Sequence, residues 1–242
     1  MIQTAAGLLG IATVQSIARD FCRADRKQAA AAVASLLKEQ SLRRHRFHAQ
    51  KGSLEYFTPE AEPLRRQELY RRFALLAFTS LLPMPRPLLG ETAFRDSVES
   101  VARTAGIRSF SWRPCYVHRS SASEQPRLSL ILIGTTRSMQ AAIDDLERFV
   151  SASPFRPWWY FARNGTFVLT YLYRGPRTSA DELGRWLRRR PLLSRLGEKP
   201  TPIPVFVYEA RTPVEFVTKS GTAKKDNTPS GVLSRSHRPE SA

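Results

Sequence analysis

Between residues 14 and 37, apolar side chains recur at helical spacing on two short stretches separated by a brief polar break. Val14, Ile17, Ala18 and Phe21 share one face of the first stretch; Ala29, Ala30, Val33, Leu36 and Leu37 share one face of the second. That period predicts two amphipathic helices. Thr13 stands at the N-cap of the first. Asp25 stands at the N-cap of the second, with Gln28 three residues on as its partner in a capping box. Cys22-Arg23-Ala24 joins them, a turn of the length found inside a helix-turn-helix. The period then falls to two. Leu42, Arg44, Arg46 and His48 alternate with Arg43, His45, Phe47 and Ala49, and a second run over 54–58 follows Gly52, which predicts a hairpin. Upstream, Ile2, Ala5, Ala6 and Leu9 predict a leading helix that packs across the pair.

Pro59 and Pro63 bracket an acidic turn that ends this first unit near residue 62. Residues 64–82 read as a helix, charged in its first half and apolar on most sides in its second, as a buried helix is. The pattern leaves open whether it is the central helix of a second domain or a dimer interface. A further helix is predicted over 91–105, a strand over 107–117 with an irregularity at Pro114, and a central strand over 128–133, which is almost continuously apolar. Gly134-Thr135-Thr136 leads from that strand into a helix over 139–151. The turn is a weak match to a phosphate-binding loop, lacking the Gly-Lys-Ser/Thr ending, and an ordinary strand-to-helix turn is the simpler reading. Aromatic-rich runs over 158–163 and 166–173 flank Asn164-Gly165, a strong hairpin signal. Their rings suit a sheet core better than base stacking. Ser179 is expected to cap a helix over 179–190, and residues 203–208 form the last strand. From about Thr218 the chain is polar and basic with few apolar anchors, so a disordered basic tail is expected.

Charge sharpens this picture. Thirty-eight basic side chains against 21 acidic ones leave a net charge of +17, which favours a polyanionic partner, nucleic acid ahead of an anionic membrane surface. A helix pair followed by a basic hairpin is the layout that places a helix in the major groove and a wing on the phosphates. Arg26, Lys27 and Gln28, at the amino end of the second helix, are the candidate base readers, since arginine pairs with guanine and glutamine with adenine. Arg23 in the turn, and Arg43, Arg44, Arg46, His48 and Lys51 in the hairpin, are the candidate phosphate contacts. Arg185, Arg188 and Arg189 form a second basic patch, suited equally to DNA phosphates and to the negative end of their own helix.

Catalytic parts are scarce. No strand pairs two acids with a lysine as a metal-dependent nuclease requires, Asp144, Asp145 and Glu147 fall mid-helix, and the four histidines are scattered. Neither an enzyme nor a metal or cofactor is expected. Cys22 and Cys115 are too few for a disulfide framework, and Cys22 reads as a small core residue. No apolar run is long enough for a membrane span, so a soluble, cytoplasmic protein is expected.

The first third resembles the winged-helix proteins of plasmids and integrative elements, and in particular the replication-relaxation family. The residues that carry the resemblance are Thr13-Val14-Gln15-Ser16-Ile17-Ala18, the stretch from Leu36 to Arg44, and the return Gly52-Ser53-Leu54-Glu55-Tyr56-Phe57-Thr58-Pro59, where Phe57 replaces the usual leucine. It covers about a quarter of the chain and marks the winged-helix superfamily more sharply than the family. The resemblance implies an α/β domain after the winged helix and a role in replication, mobilisation or transcriptional regulation of a mobile element. The expected organisation is α+β: a winged helix-turn-helix over 1–62, a mixed α/β domain over 63–215 and the disordered basic tail over 216–242. The expected partner is double-stranded DNA, bound sequence-specifically by a homodimer, because one winged helix offers a small interface and paired half-sites add affinity. Replication or conjugation machinery is a further expected partner. A nuclease or nicking factor, and a winged-helix adaptor for other proteins, are the alternatives.

Overall fold

The computed structural model describes residues 5–50, 52–81, 86–104, 113–119, 126–152, 156–194 and 200–214. The expected tail, Lys51 and most of the strand predicted over 107–117 lie outside them. The chain folds as a mixed α+β protein in which helices cover both faces of a four-stranded sheet.

The amino-terminal elements follow the periodicities closely. α1 (Ala5–Leu9), α2 (Val14–Phe21) and α3 (Arg26–Lys38) precede an antiparallel hairpin of β1 (Arg43–Ala49) and β2 (Gly52–Thr58). Ala12 adds an isolated bridge to Phe57. The turn between α2 and α3 is tight, with Ala24 N–H donating to Ala18 O at 2.8 Å and Asp25 N–H to Cys22 O at 2.7 Å. Cys22 is buried there, as a core residue. The capping box forms at α2 rather than α3: Thr13 and Ser16 each accept the other's backbone N–H, a short-range exchange that the exposed Gln28 does not make.

α4 (Arg66–Leu76) continues as a π-helical turn over Ala77–Leu81. The Thr79 hydroxyl donates to Leu75 O at 2.7 Å, a side-chain bond of the kind that disturbs the regular ladder. This segment is buried on every side and lies inside the first hydrophobic core, together with Ile17, Val33, Leu54 and Phe57. That core therefore runs on past Pro63 and reaches Tyr116, Ile131, Leu172 and Ala210.

The sheet has the order β3-β4-β5-β8, with β3 (Cys115–His118) antiparallel to β4 (Arg127–Ile133), and β4, β5 (Phe167–Tyr173) and β8 (Val205–Glu209) parallel. Alternate residues divide between two cores. Ile131 and Leu172 face α4, whereas Leu130, Leu169 and Tyr171 face α5 (Glu91–Thr104), α6 (Met139–Ser151), α7 (Arg156–Arg163) and α8 (Arg177–Arg189). A small ribbon, β6 (Leu192–Ser194) with β7 (Thr201–Ile203), closes the second core.

Three sequence expectations are corrected. Residues 158–163 are not a strand: they belong to α7, and no hairpin forms at Asn164-Gly165. α8 starts two residues before Ser179, with Pro176 at the cap position and no side-chain cap. The last strand is split by Pro204, which has no N–H for the ladder, into β7 and β8.

Candidate nucleic-acid interface

The amino end of α3 is organised by Asp25. Its Oδ1 accepts backbone N–H bonds from Lys27 at 2.8 Å and Gln28 at 3.2 Å, satisfying donors that the first helical turn leaves without partners. Arg26, Lys27 and Gln28 are all exposed. Further along the solvent side, Ala30, Ala31 and Ala34 are exposed as well, so α3 presents a slim face of small side chains. Ala30, expected on the inner face, belongs to this outer one. Ala29 and Val33 are buried, while Leu36 and Leu37 are half-buried. Arg23 is exposed in the turn, with a left-handed φ of 48°.

The hairpin starts directly from the end of α3, where Leu42 N–H reaches Leu36 O at 3.3 Å. The two rows of β1 differ, although Phe57, paired with Arg44 on the outer face of β2, is buried. Inward, His45 pairs with Tyr56 and Phe47 with Leu54. The His45 ring stacks on Tyr56, and its Nε2–H donates to Glu60 O at 3.2 Å, so this histidine is structural. Phe47 meets Tyr70 of α4 edge to face at 6.0 Å. Outward, Arg44, Arg46 and His48 are exposed. Arg43 sits on the inner row, yet at the open end of the strand, where it too is exposed.

The arginines are not equivalent. Arg44 Nε lies 3.5 Å from Glu55 Oε1, an ion pair open to solvent. Among the described residues, no carboxylate is paired with Arg23, Arg26, Lys27, Arg43 or Arg46. The unpaired cations are thus those with charge available to a polyanion.

Arg185, Arg188 and Arg189 are exposed on α8, whose inner residues Ala180, Leu183 and Leu187 belong to the second core. The sheet lies between that core and the one containing α3 and the hairpin, so the two basic groups sit in different layers and are not brought together. Two of the acids that the sequence places mid-helix are engaged locally: Asp144 accepts from Gln140 at 2.9 Å and Asp145 from Arg148 at 3.2 Å, both along α6. Among the described residues no three His, Cys, Asp or Glu side chains converge as a metal site, and no helix is long and apolar enough to cross a membrane.

One grouping was not foreseen from sequence. Arg66 and Arg71 of α4 line a cavity together with Arg174, which follows β5, although about a hundred residues separate them. Only the sheet order brings these arginines together, and no local spacing announces it. Compared with protein-family models, curated proteins and solved structures, the chain matches none.

Proposed function

We propose that this chain is a winged-helix protein that binds double-stranded DNA, with α3 in the major groove and the β1–β2 hairpin as a wing on neighbouring phosphates. The observation that carries the reading is the division of β1, in a hairpin that follows a helix with a cationic, exposed amino end: His45 and Phe47 turn to the core, and Arg44, Arg46 and His48 are offered to solvent. At 13 residues α3 is about 20 Å long, enough to follow a groove over several base pairs. Its alanine face keeps the helix narrow and suits contact with thymine methyl groups. The resemblance to the replication-relaxation proteins supports a role in replication, mobilisation or transcriptional regulation of a plasmid or other mobile element. A homodimer on paired half-sites fits the size of a single winged helix.

The test is fluorescence anisotropy on labelled duplexes across a salt series. Arg46→Glu and Arg43→Glu weaken binding to every sequence and flatten the salt dependence, by roughly 0.9 log units per log unit of salt for each phosphate no longer neutralised. Arg44→Glu does less than Arg46→Glu, because Arg44 already shares its charge with Glu55. Gln28→Ala changes preference among sequences, by about 1–3 kcal/mol at one base pair. Wild-type affinity that ignores salt, or survives both charge reversals, would falsify the proposal.

A further inference from the structure

The cavity beneath α4 measures about 570 Å³ and opens at the carboxyl ends of the parallel strands β4, β5 and β8. That end of a parallel sheet is where α/β folds hold their ligands, and the volume suits a ligand of nucleotide size. Its polar wall includes Arg66, Tyr70 and Arg71 from α4, Thr135 from the loop after β4, and Arg174 from the loop after β5.

Three features of this wall call for an anion. Two guanidinium groups are held against one ring: Arg174 lies 5.0 Å and Arg66 5.7 Å from the centre of Tyr70. The ring holds both cations in the wall, and Arg66 Nη2 also donates to the Tyr70 hydroxyl at 3.5 Å, so Arg174 is the guanidinium with more N–H capacity left for an acceptor. Arg174 Nε is shielded from solvent and has no hydrogen-bond partner among the described residues. An unsatisfied donor on a charged group is unfavourable enough to need an explanation, and a ligand oxygen supplies one. The cavity also holds little negative charge of its own. Glu68 is the one carboxylate in the wall, and Arg72 Nε already holds it at 2.8 Å.

The loop that brings Thr135 into the wall is fixed from behind. Gly134 lies so close to β5 that an added Cβ would stand 2.4 Å from the Tyr171 hydroxyl. The Tyr173 hydroxyl donates to Arg137 O, and Ser138 caps the following helix through Ala141 N–H at 3.5 Å. Thr135 is therefore placed in the wall by a loop that is held from behind.

We infer that this cavity binds a phosphate group, with Arg174 and Arg71 as its charged donors, Arg66 as a further cation and the Thr135 hydroxyl as a neutral donor. The inference does not rest on DNA binding by the wing. The phosphate belongs either to a small phosphorylated molecule or to a nucleic-acid backbone, and one set of titrations separates the two.

Isothermal titration of the full chain with inorganic phosphate, pyrophosphate and ATP, against sodium chloride at matched ionic strength, is the experiment. Pyrophosphate and ATP bind more tightly than phosphate, Arg174→Gln weakens them at least tenfold, and Arg95→Gln, an exposed change on α5, leaves them within twofold of wild type. Arg71→Gln, at an exposed position that does not threaten folding, weakens them several-fold and keeps the test valid should Arg174→Gln unfold the protein. A 15-base-pair duplex that displaces pyrophosphate competitively assigns the site to backbone phosphate; a duplex and pyrophosphate that bind together assign it to a small molecule. Absence of binding by all three anions, or binding unaltered by both Arg174→Gln and Arg71→Gln, overturns the inference.

Discussion

Arg23 and Ala24 hold φ values of 48° and 69°, a left-handed pair with no glycine, at the turn that sets the angle between α2 and α3. For a residue with a Cβ this conformation is unfavourable. It persists because the backbone bonds from Ala24 to Ala18 and from Asp25 to Cys22 close the turn around it. Ala24→Gly removes the strain and keeps both bonds, while adding freedom to the unfolded chain. The net expectation is a gain of about 0.5–1 kcal/mol, read by urea denaturation as a higher midpoint at unchanged slope. A lower midpoint would mean that the turn does not hold this conformation. Residue-scale features of this kind were partly legible beforehand. Thr13 and Asp25 were recognisable as caps because a cap is decided by neighbours in sequence. The left-handed pair was not, since neither arginine nor alanine advertises a positive φ.

Among elements, the sequence is ambiguous where two structures ask the same thing of one dipeptide. Asn164-Gly165 was expected to turn a hairpin, which needs positive φ. A helix end needs it too, and here Gly165, at φ 67°, closes α7: its N–H reaches Ala162 O at 3.0 Å and Thr166 N–H reaches Phe161 O at 3.1 Å. The spacing of Trp158, Phe161 and Ala162 is helical, and all three are buried, but their aromatic character pointed toward a strand. β5 in turn is parallel to both neighbours, an arrangement no two-residue turn can produce. The same scale contains the junction that fixes the amino-terminal unit on α4. Arg72 reaches Glu60 at 2.7 Å, Glu68 at 2.8 Å and Gly10 O at 3.5 Å, tying three stretches of chain to one guanidinium. Arg72→Ala should cost roughly 1–3 kcal/mol, as loss of charge-assisted bonds does. Arg95→Ala, which breaks an exposed pair within α5, should cost no more than about 0.5 kcal/mol. Burial alone pushes the Glu60 carboxyl upward, but the hydrogen bonds and charge of Arg72 outweigh it and hold the group below its ordinary value of 4.5. A depressed carboxyl contributes stability above its unfolded pKa and loses it as the pH falls through the folded one. The gap between wild type and Arg72→Ala is therefore largest near neutrality and narrows on acidification, as denaturation at pH 7 and pH 3 will reveal. An equal gap at both would remove Glu60 from the account.

At the scale of the whole molecule, the sheet is a partition. Side chains alternate along β4 and β5, so the chain cannot pack one face without presenting the other, and each face collects its own core. The sequence announced the central strand by its continuous apolar run but not the order of the strands. It therefore held no sign that Arg174 would meet α4, nor that the α8 arginines would lie in the layer opposite the hairpin. Under the proposed DNA binding, this partition separates cations on the hairpin side from those that merely raise the total of +17. A short duplex bound to the hairpin as proposed would lie on one side of the sheet, with the arginines of α8 on the other. Reversing Arg185, Arg188 and Arg189 together removes as much positive charge as reversing three hairpin cations, yet should leave affinity for a 15-base-pair duplex within about threefold and its salt slope unchanged. Reversing Arg43 and Arg46 lowers both, because counterions are released only where phosphates are neutralised by contact. Equal losses from the two sets would mean that DNA wraps past the edge of the sheet, or that binding answers to net charge alone; a footprint growing beyond the short duplex separates the first outcome from the second.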